Sequence, residues 1–568
     1  MKVDTIVTNV QVFNSFLKKF EWKDVAILNG KFFSIGIEAS TDLKSDITID
    51  AKGNYMIPGL IDIHMHIESS MIPPAIFSKA GLSHGVTTVV ADAHEMVNVF
   101  GLDGMHAFMD QETEMDIFYA IPSSVPSTIP ALETTGGFVG VEEVQQLLNH
   151  PKVIALGEAM NFDGIVNDSD SLIRQILQIV QQKRPFMPIE GHVPLVSGLD
   201  LAKFMYQGIT ADHTHQSPES IYEKISNGMF IELQRKSLTK ENMAVIAQNQ
   251  FYDYCAIVTD DIMADDLLKG HLNANVQLAI KAGIPIEQAI YMSTYTPARR
   301  MGFQDRGAIV SGFKADFILL EDPAKMETSA VYKSGKKVYV KGNEIAYPDK
   351  KPLFPASFYT SVQCKKAEQT DFNIRAEGKT AICNVIRITE VGTFTKCVQR
   401  ELPIKNGYLD WESSGLALIV VMERYGKSGN KAFGLVENAL TEKGAVGTTW
   451  AHDHHNLMVM GTTVADLIVA QNQLVAIQGG YLTVQNEQVV SCCPLLIGGI
   501  ISDAPIQVVG KQLSEVRQGM IDLGYRNSNE IMSFSTLSLP VSPAIKITDK
   551  GMFDVRSQQS IPLMEIVK

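Results

Sequence analysis

Two histidines one residue apart, His64 and His66, end an apolar run in PGLIDIHMHIESS. On an extended strand both side chains point to the same side, and paired neutral imidazoles suit a first-row divalent metal. Similar groups recur after later apolar runs. His94 and Glu95 follow TTVVADA, Glu158 follows KVIALG, His192 follows FMPIEG, His213 and His215 follow GIT, and Asp260 and Asp261 follow YCAIVT. Such a mixture holds one or two cations and leaves a position for water, whose pKa the cation lowers until hydroxide is available near neutral pH. A carboxylate then moves protons between water and leaving group. Asp260 is the candidate for that task, because a carboxylate directly after a buried strand is costly without a partner; Asp261 reads equally well as a helix cap. Glu158 either binds one cation or bridges two. The candidate metal shell is His64, His66, Glu158, His192, His213 and Asp260, with Asp260, Glu158 and His213 as the catalytic candidates. Glu68, His94, Glu95 and Asp261 are candidates for supporting or substrate-touching roles. His215, His84, His106 and His150 read as ordinary polar or structural histidines.

Residues from several parts of the chain converge on one point only if the fold brings strand ends together. From Pro58 onward, short apolar runs alternate with longer helical patterns, and the unit recurs about eight times, which is the signature of a (β/α)8 barrel. Barrel enzymes carry their sites at the C-terminal ends of the strands, where these residues fall. The expected fold class is therefore α/β: a TIM-type (β/α)8 metal-dependent hydrolase barrel over 58–303. Before and after it the texture is β, with NG and KG turn signals. Residues 1–57 plus 304–350 are expected to form a composite β-sandwich domain. KKPLFPASFY reads as a proline-bearing linker, and 365–568 as a C-terminal α/β domain.

The chain has 568 residues and a formal net charge of −14. That charge argues against a phosphate-backbone partner, so no nucleic acid is expected. Six cysteines without a CxxC pair suggest a reducing compartment. The first residues show no basic-then-apolar leader, and no run of about 18 apolar residues suggests a membrane span. A cytoplasmic protein with a small-molecule substrate and no membrane partner is expected. No GxxxxGK[ST] loop is present, so a substrate held by a P-loop phosphate cradle is not expected.

The motifs PGLIDIHMHIESS, HGVTTVVADAHEMVNVFG, LGEAMNFDGI, GHVPLVSGLDL, TDD with DDLLKGH, and RGAIVSGFKADFILLED resemble those of the bacterial adenine deaminases, within the metallo-dependent amidohydrolase superfamily. HDHHNLMVMG and LLIGGIISDAP resemble the extra C-terminal domain of that family. The resemblance implies hydrolysis of adenine to hypoxanthine and ammonia in purine salvage. It also implies a Mn2+ or Fe2+ site, with one or two ions and Zn2+ as an alternative, and a homo-oligomer. By position it implies that Glu158 stands where many amidohydrolases have a carboxylated lysine. Two departures fall near the expected pocket: Thr214 where the family usually has Glu after Asp212-His213, and Ile262-Met263 after TDD. In the C-terminal domain, His452, His454 and His455 read as a structural polar cluster, with the barrel mouth or a subunit interface as alternatives. Two other functions stay open: a cyclic-amide hydrolase of dihydroorotase or hydantoinase type, and a binding protein of this fold without turnover.

Overall fold

The structure is a computed structural model and describes residues 1–567 except 344, 346 and 348–352. Four sheets organise the described residues. The central one has eight parallel strands in sequential order: Leu60–Met65, Val86–Asp92, Asp116–Ile121, Val153–Ala159, Ile189–Gly191, Ala211–Asp212, Phe230–Leu233 and Cys255–Ile257. Sequential order with helices between strands is the (β/α)8 pattern, since each parallel crossover needs a return helix. The barrel closes between its last and first strands. There Asp260 N donates to His64 O at 3.0 Å, and Thr259 Oγ1 donates to Asp62 Oδ2 at 2.5 Å.

The helices form for legible reasons. Leu172–Lys183 opens at Ser171, whose side chain accepts from Arg174 N, and buries Ile173, Ile176, Leu177 and Val180 on one face. Pro218–Ser226 carries proline in its first turn behind the Ser217 cap.

Strands from both ends of the barrel segment share a second sheet. Its order is Lys336–Val340, Thr328–Lys333, Phe317–Leu320, Tyr55–Pro58, Lys2–Asn14, Lys19–Leu28 and Lys31–Ile35. The long first strand serves two neighbours: residues 2–8 pair with Lys44–Asp50 and residues 11–12 with 55–56. The turn at Asn29-Gly30 has φ of 51° and 72°, the left-handed pair that a tight hairpin requires. Part of the expected linker, residues 350–352, lies outside the described residues; its end forms a short 3-10 turn at Ala356–Tyr359.

Beyond it stands a ten-stranded sheet, with helix Val464–Ala476 against strands Ala445–Thr448, Leu457–Gly461 and Gly480–Gln485. Helix Ile506–Asp522 packs on Gln488–Pro494 and also touches the barrel-side helix Ala264–Leu267. One continuous apolar core runs from the barrel through residues such as Trp450, Ile500 and Val509 of this C-terminal unit. No helix among the described residues is long and apolar enough to cross a membrane.

Candidate metal and active site

Glu158 is the hub. It ends the fourth barrel strand, and its two carboxylate oxygens face different histidine pairs. Oε1 lies 2.9 Å from His66 Nε2 and 3.5 Å from His64 Nε2. Oε2 lies 2.9 Å from His192 Nδ1 and 3.3 Å from His213 Nε2. Asp260 joins the first pair, with Oδ1 3.4 Å from His66 Nε2 and 3.9 Å from His64 Nε2. Donor atoms of His64, His66, Glu158 and Asp260 lie within 4.8 Å of one another, and so do those of Glu158, His192 and His213. All six residues of the expected shell thus come together. Asp260 holds a left-handed backbone, φ 61°, which aspartate tolerates better than most residues.

Local sequence explains this convergence. Gly157, just before the hub, has no room for a side chain, because a Cβ would meet Asp92 Oδ2 at 2.0 Å. That Asp92 oxygen accepts from Glu158 N at 3.0 Å and fixes the strand end. His66 Nδ1 bonds Asp92 O at 2.9 Å, leaving Nε2 for the centre. His64 Nε2 is buried without a hydrogen-bond partner among the described residues.

The electrostatics favour a cation. Burial and His213 depress His64, keeping its imidazole neutral. Burial would also depress His66, but Asp260 and Glu158 carry it well above the ordinary range. Likewise His213 rises to about 9 against burial, driven by Glu158. Glu158 and Asp260 go the other way: burial would raise both, yet the facing histidines hold them well down. Two buried carboxylates ionised among imidazoles are a donor set for divalent first-row metals, and such sites need the charge a cation brings.

Above the centre lies a cavity of about 370 Å³. His66, Glu158, His192, His213 and Asp260 form part of its floor, and segments 391–394 and 536–543 of the C-terminal unit form part of its wall.

The amidohydrolase family matches residues 55–345, and the adenine deaminase C-terminal domain matches 392–559. The chain is 52% identical over 566 residues to adenine deaminase 2 of Oenococcus oeni, covering 99% of each chain. The chain belongs to the adenine deaminase family. The adenine deaminase of Clostridium perfringens is 48% identical with 100% of both chains covered, and that of Lactobacillus delbrueckii subsp. bulgaricus 46%, with 99% of this chain and 100% of its relative covered.

In this adenine deaminase family member the C-terminal unit reaches into the site. The loop between strands Ala445–Thr448 and Leu457–Gly461 carries His452 and His455 to Glu95. His452 and Asp453 line the cavity. His454 does not; its Nδ1 accepts from Asn456 N at 3.0 Å. His454 thus stays apart from the cavity lining, whereas His452 and His455 reach a carboxylate that lines it.

The remaining expected residues divide. His94, Glu95, Asp261 and also His215 line the cavity. Glu68 is wholly buried away from it, its Oε1 accepting from Met96 N at 3.1 Å, and burial pushes its pKa up to about 7. Asp261 Oδ1 accepts from Ser69 Oγ at 2.5 Å, which ties the HIESS segment to the last strand end. Of the two departures from the family pattern, Thr214 lines the cavity, with its hydroxyl given to Asp212 at 2.9 Å. Met263 instead sits against Arg517, whose Nη2 lies 2.9 Å from its sulfur, so its expected place near the pocket is corrected: helix Ile506–Asp522 covers it.

Among the buried carboxylates that sequence reasoning passed over, four bear on the site. Asp62 clamps Thr259 across the barrel seam, and burial raises it to about 7. Asp92 positions Glu158. Glu232 Oε2 lies 3.4 Å behind His64 Nδ1, and burial with Glu190 raises it well above the usual range. Asp212 pairs with Lys224 at 2.7 Å. Each is an acid inside an apolar strand run, LIDI, VVAD, FIEL or TAD, and that incongruity was the available signal.

Proposed function

We propose that this chain hydrolyses adenine to hypoxanthine and ammonia, as a cytoplasmic step of purine salvage. The observation that carries this reading is Glu158, set between two histidine pairs with one oxygen toward each, beneath a cavity sized for a small ring system. His64, His66, Asp260 and Glu158 Oε1 would hold one divalent cation; His192, His213 and Glu158 Oε2 would hold a second. Mn2+ or Fe2+ suits this set of nitrogen and oxygen donors, with Zn2+ as an alternative. Bound there, the cations would acidify a water for attack at purine C6.

The chain's own groups do the rest. Asp260, ionised among the histidines, accepts a proton from water and returns it to the departing amine. The C-terminal wall excludes bulk solvent, which strengthens every charge interaction inside. Phe186, Leu195, Leu199 and Tyr206 are exposed apolar side chains within residues 186–206, and they support assembly with further copies of this chain.

Ammonia release from adenine by the purified protein, with manganese added and a metal-free control, tests the reading. Metal-dependent release with hypoxanthine as product is expected. A folded, metal-loaded sample that releases none would overturn it and turn attention to cyclic amides.

A further inference from the structure

Glu95 is wholly buried, yet it lines the cavity. Its Oε2 accepts a hydrogen bond from His455 Nε2. Its Oε1 lies 2.7 Å from His452 Nδ1 and 3.5 Å from His94 Nε2, but neither approach is aligned for a hydrogen bond. That oxygen has no hydrogen-bond partner among the described residues. The carboxylate is thus charge-compensated from the C-terminal unit, while Oε1, paired in charge with His452, makes no aligned hydrogen bond. A buried acceptor left unmet is costly, and few survive in native proteins without a ligand or water to meet them.

The holders of this carboxylate are themselves fixed. The buried Arg424 binds His455 O through Nε and Gly498 O at 2.7 Å through Nη2. Tyr425 OH donates to His454 O at 2.6 Å, and Asn456 Nδ2 reaches Thr134 O of the barrel at 2.9 Å. The His452 ring meets Trp450 edge-on at 4.4 Å. So the loop presents two imidazoles at a set place, and Glu95 cannot turn elsewhere without losing them.

We propose that Glu95 Oε1 accepts the N–H of the five-membered ring of a free purine base, and that His452 and His455 are positioning residues for Glu95. The inference rests on the purine reading above. A free base carries that ring N–H; a nucleoside or an N-methylated base carries carbon there or lacks the matching tautomer. A site built to hydrogen-bond an N–H rejects the analogue without it far more strongly than an apolar pocket rejects an added methyl. Asp453 also lines the cavity, and its Oδ2 is also unpartnered. It lacks the double histidine clasp, so it serves as the comparison.

The test measures kcat and KM for adenine and for 9-methyladenine, with cation content, in the wild type and in Glu95→Ala, His455→Asn and Asp453→Asn. In Glu95→Ala, kcat/KM for adenine is expected to fall about 100-fold or more, chiefly through KM. The preference for adenine over 9-methyladenine should shrink by a similar factor, with cation content unchanged. His455→Asn should show the same pattern in weaker form, and Asp453→Asn should keep the preference. If Glu95→Ala does not fold, Glu95→Gln, which keeps shape and one carbonyl oxygen, carries the same comparison with a loss of about 10-fold. Equal losses on both substrates, loss of cation with activity, or unchanged adenine kinetics would each overturn the inference. A wild type that releases no ammonia from adenine would overturn the purine reading and this inference with it. Wild-type release with an unchanged preference in the variants would overturn this inference alone.

Discussion

Removing the amine of Lys224 should weaken both the barrel and the second histidine pair. Lys224 Nζ lies 2.7 Å from Asp212 Oδ2, with the side chains 1% and 0% exposed. At an effective dielectric near 20 the pair's attraction is about 6 kcal/mol. Asp212 has other donors: Gln216 Nε2 at 2.5 Å, Thr214 Oγ1 at 2.9 Å and Val193 N at 3.1 Å. These remain in Lys224→Met, so the net cost should settle at about 3–5 kcal/mol, the range for a buried charge stripped of its partner. Asp212 directly precedes His213, and Val193 directly follows His192. Relaxation of Asp212 therefore moves both ligands of one candidate cation site, and affinity there should fall about 10–100-fold. The three tryptophans, Trp22, Trp411 and Trp450, lie outside 58–303, so fluorescence would miss the effect. Hydrogen exchange of peptides spanning 189–233 reads the local stability, and titration of metal-free protein reads the affinity. A loss below about 1 kcal/mol, or additive behaviour of Asp212→Asn with Lys224→Met, would refute the reasoning.

Asp260→Asn should keep the fold and most of the bound cation while turnover falls about 10²–10⁴-fold, since an amide cannot shuttle the proton; near-normal turnover removes Asp260 from that role. His64→Ala and His192→Ala should each lower cation content measured by elemental analysis, and if both leave it unchanged, the two-pair assignment fails. Asp116 anchors the barrel to the small sheet through Lys333 at 3.0 Å, Arg306 at 2.7 Å and Lys314 at 3.1 Å. Burial would raise its pKa, but the three cations hold it down to about 2. A folded pKa below the unfolded one gives stability that is present above about pH 4 and disappears as pH falls through about 2, worth roughly 2 kcal/mol. The unfolding free energies of wild type and Asp116→Asn should thus differ at pH 7 and converge near pH 2, and equal values at pH 7 would contradict the linkage.

Much of the site was legible because its chemistry is carried by residue type and strand-end position. His64 and His66 share a strand side through period-two geometry, and an acid or imidazole after an apolar run stands out against a buried background. The eight-strand barrel was legible for the same reason, through alternation of apolar runs with helical patterns. Asp62, Asp92, Asp212 and Glu232 were not, although each interrupts an apolar run, because their partners Thr259, Glu158, Lys224 and His64 lie between 12 and 197 residues away or on different strands. Met263 shows the opposite failure: sequence proximity to Asp260 suggested the pocket, but a helix beginning at Ile506 decides what it touches.

The sequence by itself determined the candidate donor set and the fold that gathers it, since both follow from local patterns of a few residues. Only the tertiary structure decided that Glu158 divides its two oxygens between two histidine pairs, and that His452 and His455 cross from another unit to hold Glu95. Those facts depend on angles and distances between segments up to 360 residues apart, and no local pattern encodes the direction in which a buried carboxylate points.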